Sequence, residues 1–152
     1  MTDKELKKLE GRWFLQYSGC PMWKKTNIDT ISFNYELKHM GEELVLKEQL
    51  EFRRNGKMRM KRGYEISSDD SETLTWKGKG LDKNFRTHSK VMYNEDGLLI
   101  MWFDTTKHCA ESIDVLTRKK FLNAQESEYI FSVLKRPETN NFTNDLESVN
   151  IL

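Results

Sequence analysis

Apolar and polar residues alternate along much of this chain, in short runs separated by turn residues. The run from Glu43 to Ser67 shows the pattern most clearly, because apolar residues recur mainly at every second position on both sides of an Asn-Gly pair. A period of two places successive side chains on opposite faces of a β-strand, and Asn-Gly between two such runs is typical of a hairpin. This segment therefore predicts two long antiparallel strands.

The same pattern, followed from end to end, predicts eight strands. Trp13, Leu15 and Tyr17 share one face of the first strand, and a second hairpin around Asp96-Gly97 brings later apolar residues together. The connections are short and contain no crossover helix, which favours an antiparallel sheet that closes on itself and leaves no exposed edge. The predicted fold is all-β, an eight-stranded antiparallel up-and-down β-barrel.

Two helices are expected beside the barrel. Thr2 and Glu5 have the spacing of a capping box, which predicts a short N-terminal helix. Asn123 and Glu126 have a similar spacing in front of an amphipathic segment, which predicts one C-terminal helix over 124–134.

Length and charge limit the classes of function. A chain of 152 residues suits one domain, here residues 1–136, followed by a polar and loosely ordered tail over 137–152. With 25 basic and 24 acidic side chains, no net field favours nucleic acid, and no apolar run is long enough to span a membrane. The N-terminus lacks the apolar core of a secretion signal, so a cytoplasmic protein is expected, or an extracellular one if a signal was removed; a monomer or small homo-oligomer is expected.

The hairpin turn decides which side chains face inward. A two-residue Asn-Gly turn would set an apolar face against a basic one, so we expect a three-residue loop over 54–56. This loop pairs Phe52 with Met58 and, further along the strands, Glu48 with Arg62. The two opposite charges are then expected to meet inside the barrel.

Such a charge pair suggests a ligand with a polar end. Burying an ion pair costs several kcal/mol of desolvation free energy, which the attraction between the charges often does not recover. A buried pair is therefore expected to have some further role. Arg62 would bind a carboxylate, or Glu48 would bind an amine. The alternative is a bulge that turns both residues outward as an exposed pair, which would contribute roughly 0.2 to 1 kcal/mol.

The remaining predicted lining is mostly aromatic and apolar, as suits a flat or chain-like molecule, or the packed core of a solid barrel. Trp23, on a loop at the open end, is expected either to cover a ligand or to pack as an exposed side chain on the rim. The residues predicted to face inward by alternation are Phe33, Tyr35, Leu46, Glu48, Leu50, Phe52, Met60, Arg62, Tyr64, Trp76, Tyr93, Ile100 and Trp102.

Two short motifs resemble those of the lipocalins. Gly11-x-Trp13 opens the first strand and Val-Leu-Thr-Arg at 115–118 ends the last, with the helices and strands between them in the lipocalin order over residues 2–136. In that family the tryptophan packs at the closed end of the barrel and the arginine lies across it. The resemblance therefore implies that Trp13 and Arg118 are structural partners. The Thr-Asp-Tyr signature of many members is absent, so the chain resembles an outlying member.

This arrangement also predicts the open end. The chain leaves the closed end at Trp13, so loops 19–27, 54–56, 78–84 and 105–109 gather at the mouth. Cys20 and Cys109 then lie at similar heights on adjacent strands, either as a disulfide or as two free thiols. His108 next to Cys109 lacks partners at metal-binding spacing, so neither a metal nor another cofactor is expected.

The resemblance implies a protein that binds a small hydrophobic or amphipathic ligand inside its barrel, as a carrier and without catalysis. The alternative is an enzyme or chromophore-handling protein of the isomerase or bilin-lyase kind on the same scaffold. In that case Glu48 would be a general acid or base, and Arg62 would stabilise developing negative charge.

Overall fold

The computed structural model describes residues 1–67, 73–79 and 86–152. Capping boxes at Thr2 and Asn123 begin the first helix and the long C-terminal helix, as the sequence predicts. The elements in chain order are α1 (Asp3–Leu9), β1 (Gly11–Ser18), a 3-10 turn (Pro21–Trp23), β2 (Ile28–Met40), β3 (Glu43–Arg54), β4 (Lys57–Ser67), β5 (Thr73–Gly78), β6 (Arg86–Glu95), β7 (Leu98–Phe103), β8 (Ser112–Thr117), α2 (Ala124–Leu134), α3 (Pro137–Asn140) and β9 (Glu147–Ser148).

Strands β1 to β8 form a closed antiparallel barrel. Each strand pairs with the next, and β1 pairs with both β2 and β8, which closes the sheet. Gly41, Gly56 and Gly97 adopt positive φ in the tight turns that join consecutive strands. The predicted eight-stranded barrel with flanking helices is confirmed.

The turn between β3 and β4 contains two residues, and the predicted three-residue loop is wrong. Asn55 has φ 53° and Gly56 has φ 76°, and Phe52 pairs with Arg59 across the hairpin. Asn and Gly are the residues that best tolerate positive φ, and a turn of this kind matches the twist of the flanking strands. Local turn chemistry therefore outweighs the match between apolar faces.

This one-residue change reverses the face of every side chain on β4, because the side-chain period of a strand is two. Glu48 faces Gly63 across the hairpin, so the predicted pair of Glu48 with Arg62 does not form. Met60 is 46% exposed and Arg62 is also exposed. Tyr64 lies on the same outer face, where the Lys79 ammonium is 5.1 Å from its ring centroid.

Bulges in β1 and β6 reverse two more faces. The register skips Gln16 in β1 and Met92 in β6, so the residues that follow change sides. Tyr17 and Tyr93 both pack with the apolar cluster between the barrel and α2, and the Tyr93 hydroxyl is hydrogen-bonded to that of Tyr129. The inward orientation expected for Tyr93 is therefore wrong.

Strand β7 is buried on both faces, so its sequence does not indicate which of its side chains face inward. Ile130 and its neighbours on α2 cover the outer face of this strand, and Ile100 packs against them instead of facing inward. Trp102 also lies outside, where its indole N–H donates to Glu111 Oε1 at 2.6 Å. The run Leu98–Phe103 is apolar at every position, so it carries no alternation from which the two faces could be told apart.

Residues 137–152 pack on the barrel and do not form the expected loose tail. The Val149 N–H donates to the Gln16 carbonyl at 2.9 Å, and the Thr30 N–H donates to the Asn150 carbonyl at 2.8 Å. The segment thus bonds to β1 and β2 beyond the point where these strands pair with each other. Val149 is buried in the main core.

Among the residues that the structure describes, no helix combines the length and the apolar character needed to cross a membrane.

Candidate functional site

One end of the barrel is plugged by Trp13 and Arg118. The Trp13 side chain is 1% exposed, and its indole N–H donates to the Leu9 carbonyl at 2.9 Å. The Arg118 guanidinium lies 3.6 Å from the centroid of the Trp13 ring and donates to three main-chain carbonyls, including that of Glu10 at 2.8 Å. The two residues are in contact, as the sequence resemblance implies.

The Gly-x-Trp motif has a direct steric basis at this end. Gly11 has φ 109°, and a Cβ atom placed on it would lie 2.7 Å from Arg118 Nη1. Any side chain would therefore strain the backbone and displace the guanidinium from the Trp13 ring. This end of the barrel is a packed floor with no room for a ligand.

The other half of the barrel contains a cavity of about 210 Å³. Its mouth is formed by the segments around Met22 and His108, in agreement with the predicted open end. Residues 80–84 of the predicted 78–84 mouth loop lie outside the described residues. The aromatic side chains that line the cavity are Trp23, Phe33, Trp76 and Phe103.

The structure brings together about half of the residues expected at the site. Trp23, Phe33, Glu48, Leu50 and Trp76 line the cavity, and Tyr35 is buried beside Glu48. The other residues expected at the site lie on the outer face of the barrel; they are Met60, Arg62, Tyr64, Tyr93 and Trp102.

A disulfide joins Cys20 and Cys109 at the mouth, with their Cα atoms 5.3 Å apart. It links the segment that follows β1 to the segment that precedes β8, and both residues line the cavity. Within residues 1–67, 73–79 and 86–152, no group of three histidine, cysteine, aspartate or glutamate side chains is placed to hold a metal ion.

Three buried carboxyl groups line the cavity, each from a different strand. Glu48 on β3 is 6% exposed, Glu65 on β4 is 2% exposed and Asp114 on β8 is 3% exposed. The expected hairpin register places Glu65 on the outer face, and the burial of all six positions of β8 removes the alternation that would place Asp114 inside. The signal for Asp114 was its acidic side chain in a short apolar run, since a buried carboxylate is rarely kept without a role.

Glu48 lies opposite a glycine that makes room for an aromatic ring. A Cβ atom on Gly63 would lie 2.5 Å from Cε2 of Trp76, so only glycine lets the indole lie over the strand here. Burial raises the pKa of Glu48 to about 7, although hydrogen bonds from the Tyr35 hydroxyl and the Trp76 indole act to lower it. Glu48 therefore changes protonation state near neutral pH.

Glu65 is the least compensated polar group at the site. It lies opposite Trp76 on the neighbouring strand, and its Oε2 atom is fully buried without a hydrogen-bonding partner among the described residues. Burial, together with the negative charge of Glu48, raises the pKa of Glu65 well above its ordinary value. The protonated form of Glu65 is therefore favoured in the ligand-free cavity.

Among the described residues, the Asp114 carboxyl group accepts one hydrogen bond. The Ser18 hydroxyl donates to Asp114 Oδ1 at 2.6 Å, and the same oxygen of Ser18 accepts from the Cys20 N–H at 3.0 Å. Burial raises the pKa of Asp114 to about 7, against the lowering effect of the Ser18 bond. Together with Glu48 and Glu65, this group makes the cavity rich in carboxyl oxygens, and burial raises the pKa of all three groups.

No family model and no curated protein matches this chain. Its structure, however, is similar to several solved structures. Lobster apocrustacyanin A1 has a TM-score of 0.64 at 12% sequence identity, and the match covers 95% of this chain and 78% of that chain. The siderocalin Ex-FABP has a TM-score of 0.64 at 9% identity, covering 94% of each chain.

The bovine lipocalin allergen Bos d 2 has a TM-score of 0.61 at 10% identity, with 95% of this chain and 93% of that chain covered. At identities this low, the matches show a common fold alone.

Proposed function

We propose that this chain, which has the lipocalin fold, binds one small hydrophobic or amphipathic molecule in its cavity and carries it unchanged. The observation on which the proposal rests is the division of the barrel into a packed floor and a lined cavity of about 210 Å³. Most of the surface that the wall presents is apolar, and three of its polar groups, Glu48, Glu65 and Asp114, are deeply buried. This is the usual composition of a small-molecule site.

The volume limits the size of the ligand. A dry protein cavity of about 150 Å³ holds one benzene molecule. By that measure the cavity of about 210 Å³ suits a molecule of roughly eight to ten non-hydrogen atoms, such as one ring with a short polar chain. Larger ligands would need the mouth to widen.

Two further observations support the proposal. Trp23 lies at the mouth, 7% exposed, with its ring edge-on to Phe52 at a centroid distance of 5.7 Å, so an aromatic side chain covers part of the cavity. The similar siderocalin Ex-FABP functions through dual ligand specificities, so a barrel of this shape can serve as a binding site.

A pair of tryptophan substitutions tests cavity binding. Leu50 lines the cavity, whereas Met60 lies on the outer face of the neighbouring strand. With 2-phenylethanol as the probe, calorimetry should show saturable one-to-one binding to the wild type and to Met60→Trp, and a loss of at least about tenfold in affinity for Leu50→Trp, whose larger ring fills the space.

Near-ultraviolet circular dichroism establishes that both variants fold. Equal binding to the two folded variants would contradict the proposal, as would the absence of saturable binding to the wild type.

The disulfide supports an oxidising compartment rather than the cytoplasm. Cys20 and Cys109 are 89 residues apart in sequence, and a bond between them persists where thiols are not kept reduced. Intact mass measured before and after reduction, on protein isolated from its source, should show one disulfide. The same native spectrum tests the predicted monomer or small homo-oligomer, and free thiols would contradict the proposed compartment.

A second candidate function is catalysis on the bound molecule. It is favoured by two carboxyl groups buried together in the cavity, because burial raises the pKa of Glu48 to about 7 and a general acid or base works best near the ambient pH. Arg62 lies outside and takes no part. Mass spectrometry of the ligand recovered from the protein distinguishes the two functions, since a carrier returns it unchanged and an enzyme returns a product that Glu48→Gln no longer forms.

A further inference from the structure

We propose that the cavity selects ligands whose polar end is a protonated amine, held by the carboxyl groups of Glu48, Glu65 and Asp114. This inference rests on the proposed function, because it specifies the chemistry of the molecule that the cavity binds.

The hydrogen-bonding groups in the cavity wall favour a ligand whose polar end donates hydrogen bonds. Glu65 Oε2 is a fully buried acceptor in the cavity wall with no hydrogen-bonding partner among the described residues. An ammonium group has three N–H donors and no acceptor, so it supplies what these oxygens lack. A buried acceptor that gains a charged donor recovers the desolvation penalty that it otherwise suffers.

The charged side chains that would surround the polar end of the ligand are mostly acidic. The inward side chains of β3, β4 and β8 contribute Glu48, Glu65 and Asp114. In the described residues, the basic side chains that line the cavity are Lys61 and His108, and both are exposed.

The two basic side chains lie nearer the mouth of the cavity than the buried carboxyl group of Glu65 does. Lys61 lies on β4 nearer the Asn-Gly turn than Glu65 does, and therefore nearer the mouth. Asp104 also lines the mouth, and of the uncharged neighbours Tyr35 and Trp76 donate hydrogen bonds to Glu48. A ligand carboxylate would meet three acidic groups in the cavity wall, whereas a cation would be attracted by them.

The cavity also has an aromatic wall next to the carboxyl groups. Trp76 lies opposite Glu65 in the sheet, and Phe33 also lines the cavity. The face of an indole ring attracts a cation as well as a second aromatic ring. The cavity is therefore suited to an aromatic amine of about the size set by its volume.

Binding of such an amine must release protons. In the free protein, burial and the charge of Glu48 raise the pKa of Glu65 well above its ordinary value, which favours the protonated carboxyl. When an ammonium binds, the O–H bond of the carboxyl breaks, the proton goes to solvent, and the carboxylate accepts N–H bonds from the ligand. Amine affinity should therefore rise with pH through about 7, where Glu48 and Asp114 also lose their protons.

Three probes of similar shape and different charge test the inference: 2-phenylethylamine, 2-phenylethanol and phenylacetate. At about pH 8, calorimetry should show the amine binding at least tenfold more tightly than the alcohol, with phenylacetate weakest. At about pH 5.5 the preference for the amine should shrink several-fold. Titrations in buffers of different ionisation enthalpy should report net proton release on amine binding.

Matched variants locate the effect. Glu65→Gln keeps the shape of the side chain and removes its charge, so the amine-to-alcohol preference should fall about tenfold; Glu48→Gln should lower it as well. The control is Glu51→Gln, since Glu51 lies on the outer face of β3 in an ion pair with Arg12 and its loss should leave the preference unchanged.

The possible results separate this inference from the proposed function. Equal affinity for amine and alcohol, or an unchanged preference in folded Glu65→Gln and Glu48→Gln, would overturn the inference while cavity binding stands. If none of the three probes binds the wild type, cavity binding itself fails and the inference fails with it.

Discussion

The two ends of the barrel handle polar groups in opposite ways. At the closed end, the Trp13 indole N–H has an acceptor and the Arg118 guanidinium donates to three carbonyls. In the cavity half, Glu65 has a buried oxygen without a hydrogen-bonding partner in the described chain. Burial also disfavours the ionised forms of Glu48 and Asp114 and so raises the pKa of each.

We interpret this difference as a division between a closed end that stabilises the fold and a cavity half that binds a ligand. A polar group that is fully hydrogen-bonded within the fold has nothing left to offer a ligand, but it stabilises the chain. A group that is buried and poorly compensated destabilises the folded state and gains most when a ligand arrives. We therefore expect substitutions at the two ends to affect different measurements.

The largest expected effect is at the closed end. Trp13→Ala removes a fully buried ring together with its hydrogen bond, and should lower the free energy of unfolding by about 3–5 kcal/mol. Urea denaturation measures this change. Trp76→Ala, at the half-buried ring beside the cavity, should cost about half as much or less; an equal loss would remove the distinction between the two ends.

The next largest effect concerns pH and arises in the cavity half. Asp114 has a pKa of about 7 in the folded state and about 3.8 when unfolded, so its protonated form stabilises the fold fully below pH 3.8. This contribution is lost progressively as the pH rises from about 3.8 to about 7, and it amounts to on the order of 4 kcal/mol. Stability should therefore fall between about pH 4 and pH 7.

Asp114→Asn should flatten this slope, because an amide does not ionise and can still accept the hydrogen bond from Ser18. Glu48 and Glu65 would account for the slope that remains. Chemical denaturation at a series of pH values is the measurement. A wild type whose stability is constant over this range, or a variant with the same slope, would show that the buried carboxyl group is not destabilising.

The smallest of the three effects tests the glycine at the closed end. Gly11→Ala places a methyl group 2.7 Å from Arg118 Nη1 at a positive φ, and should cost about 1–3 kcal/mol. Gly41 also has a positive φ, but a Cβ atom there meets nothing within 4 Å, so Gly41→Ala should show only the backbone strain, about 1 kcal/mol. Thermal unfolding of both variants gives the comparison.

Equal losses in the two glycine variants would mean that Gly11 is needed only for its backbone conformation. In that case the close approach of Arg118 would not explain the Gly-x-Trp motif.

The fold was predictable because its signals are local. Alternation, tight turns and capping boxes depend on neighbouring residues, and each occurs in the structure where the sequence places it. The lining was less predictable, because a strand's orientation depends on every turn and bulge that precedes it. The bulges at Gln16 and Met92 change the face of the residues that follow them, and the second of these places Tyr93 on the outer face. The two-residue turn between β3 and β4 places Met60 and Arg62 there.

The sequence by itself determined the barrel, because hydrophobic period and residue-specific backbone preferences act over a few residues. Its resemblance to the lipocalins implied the closed end and, through it, the place of the mouth. Only the tertiary structure decided that Glu48 shares its cavity with Glu65 and Asp114 instead of pairing with Arg62. The physical reason is that a strand's register is set jointly by turn geometry and by packing on both faces, and a shift of one residue exchanges the inside for the outside.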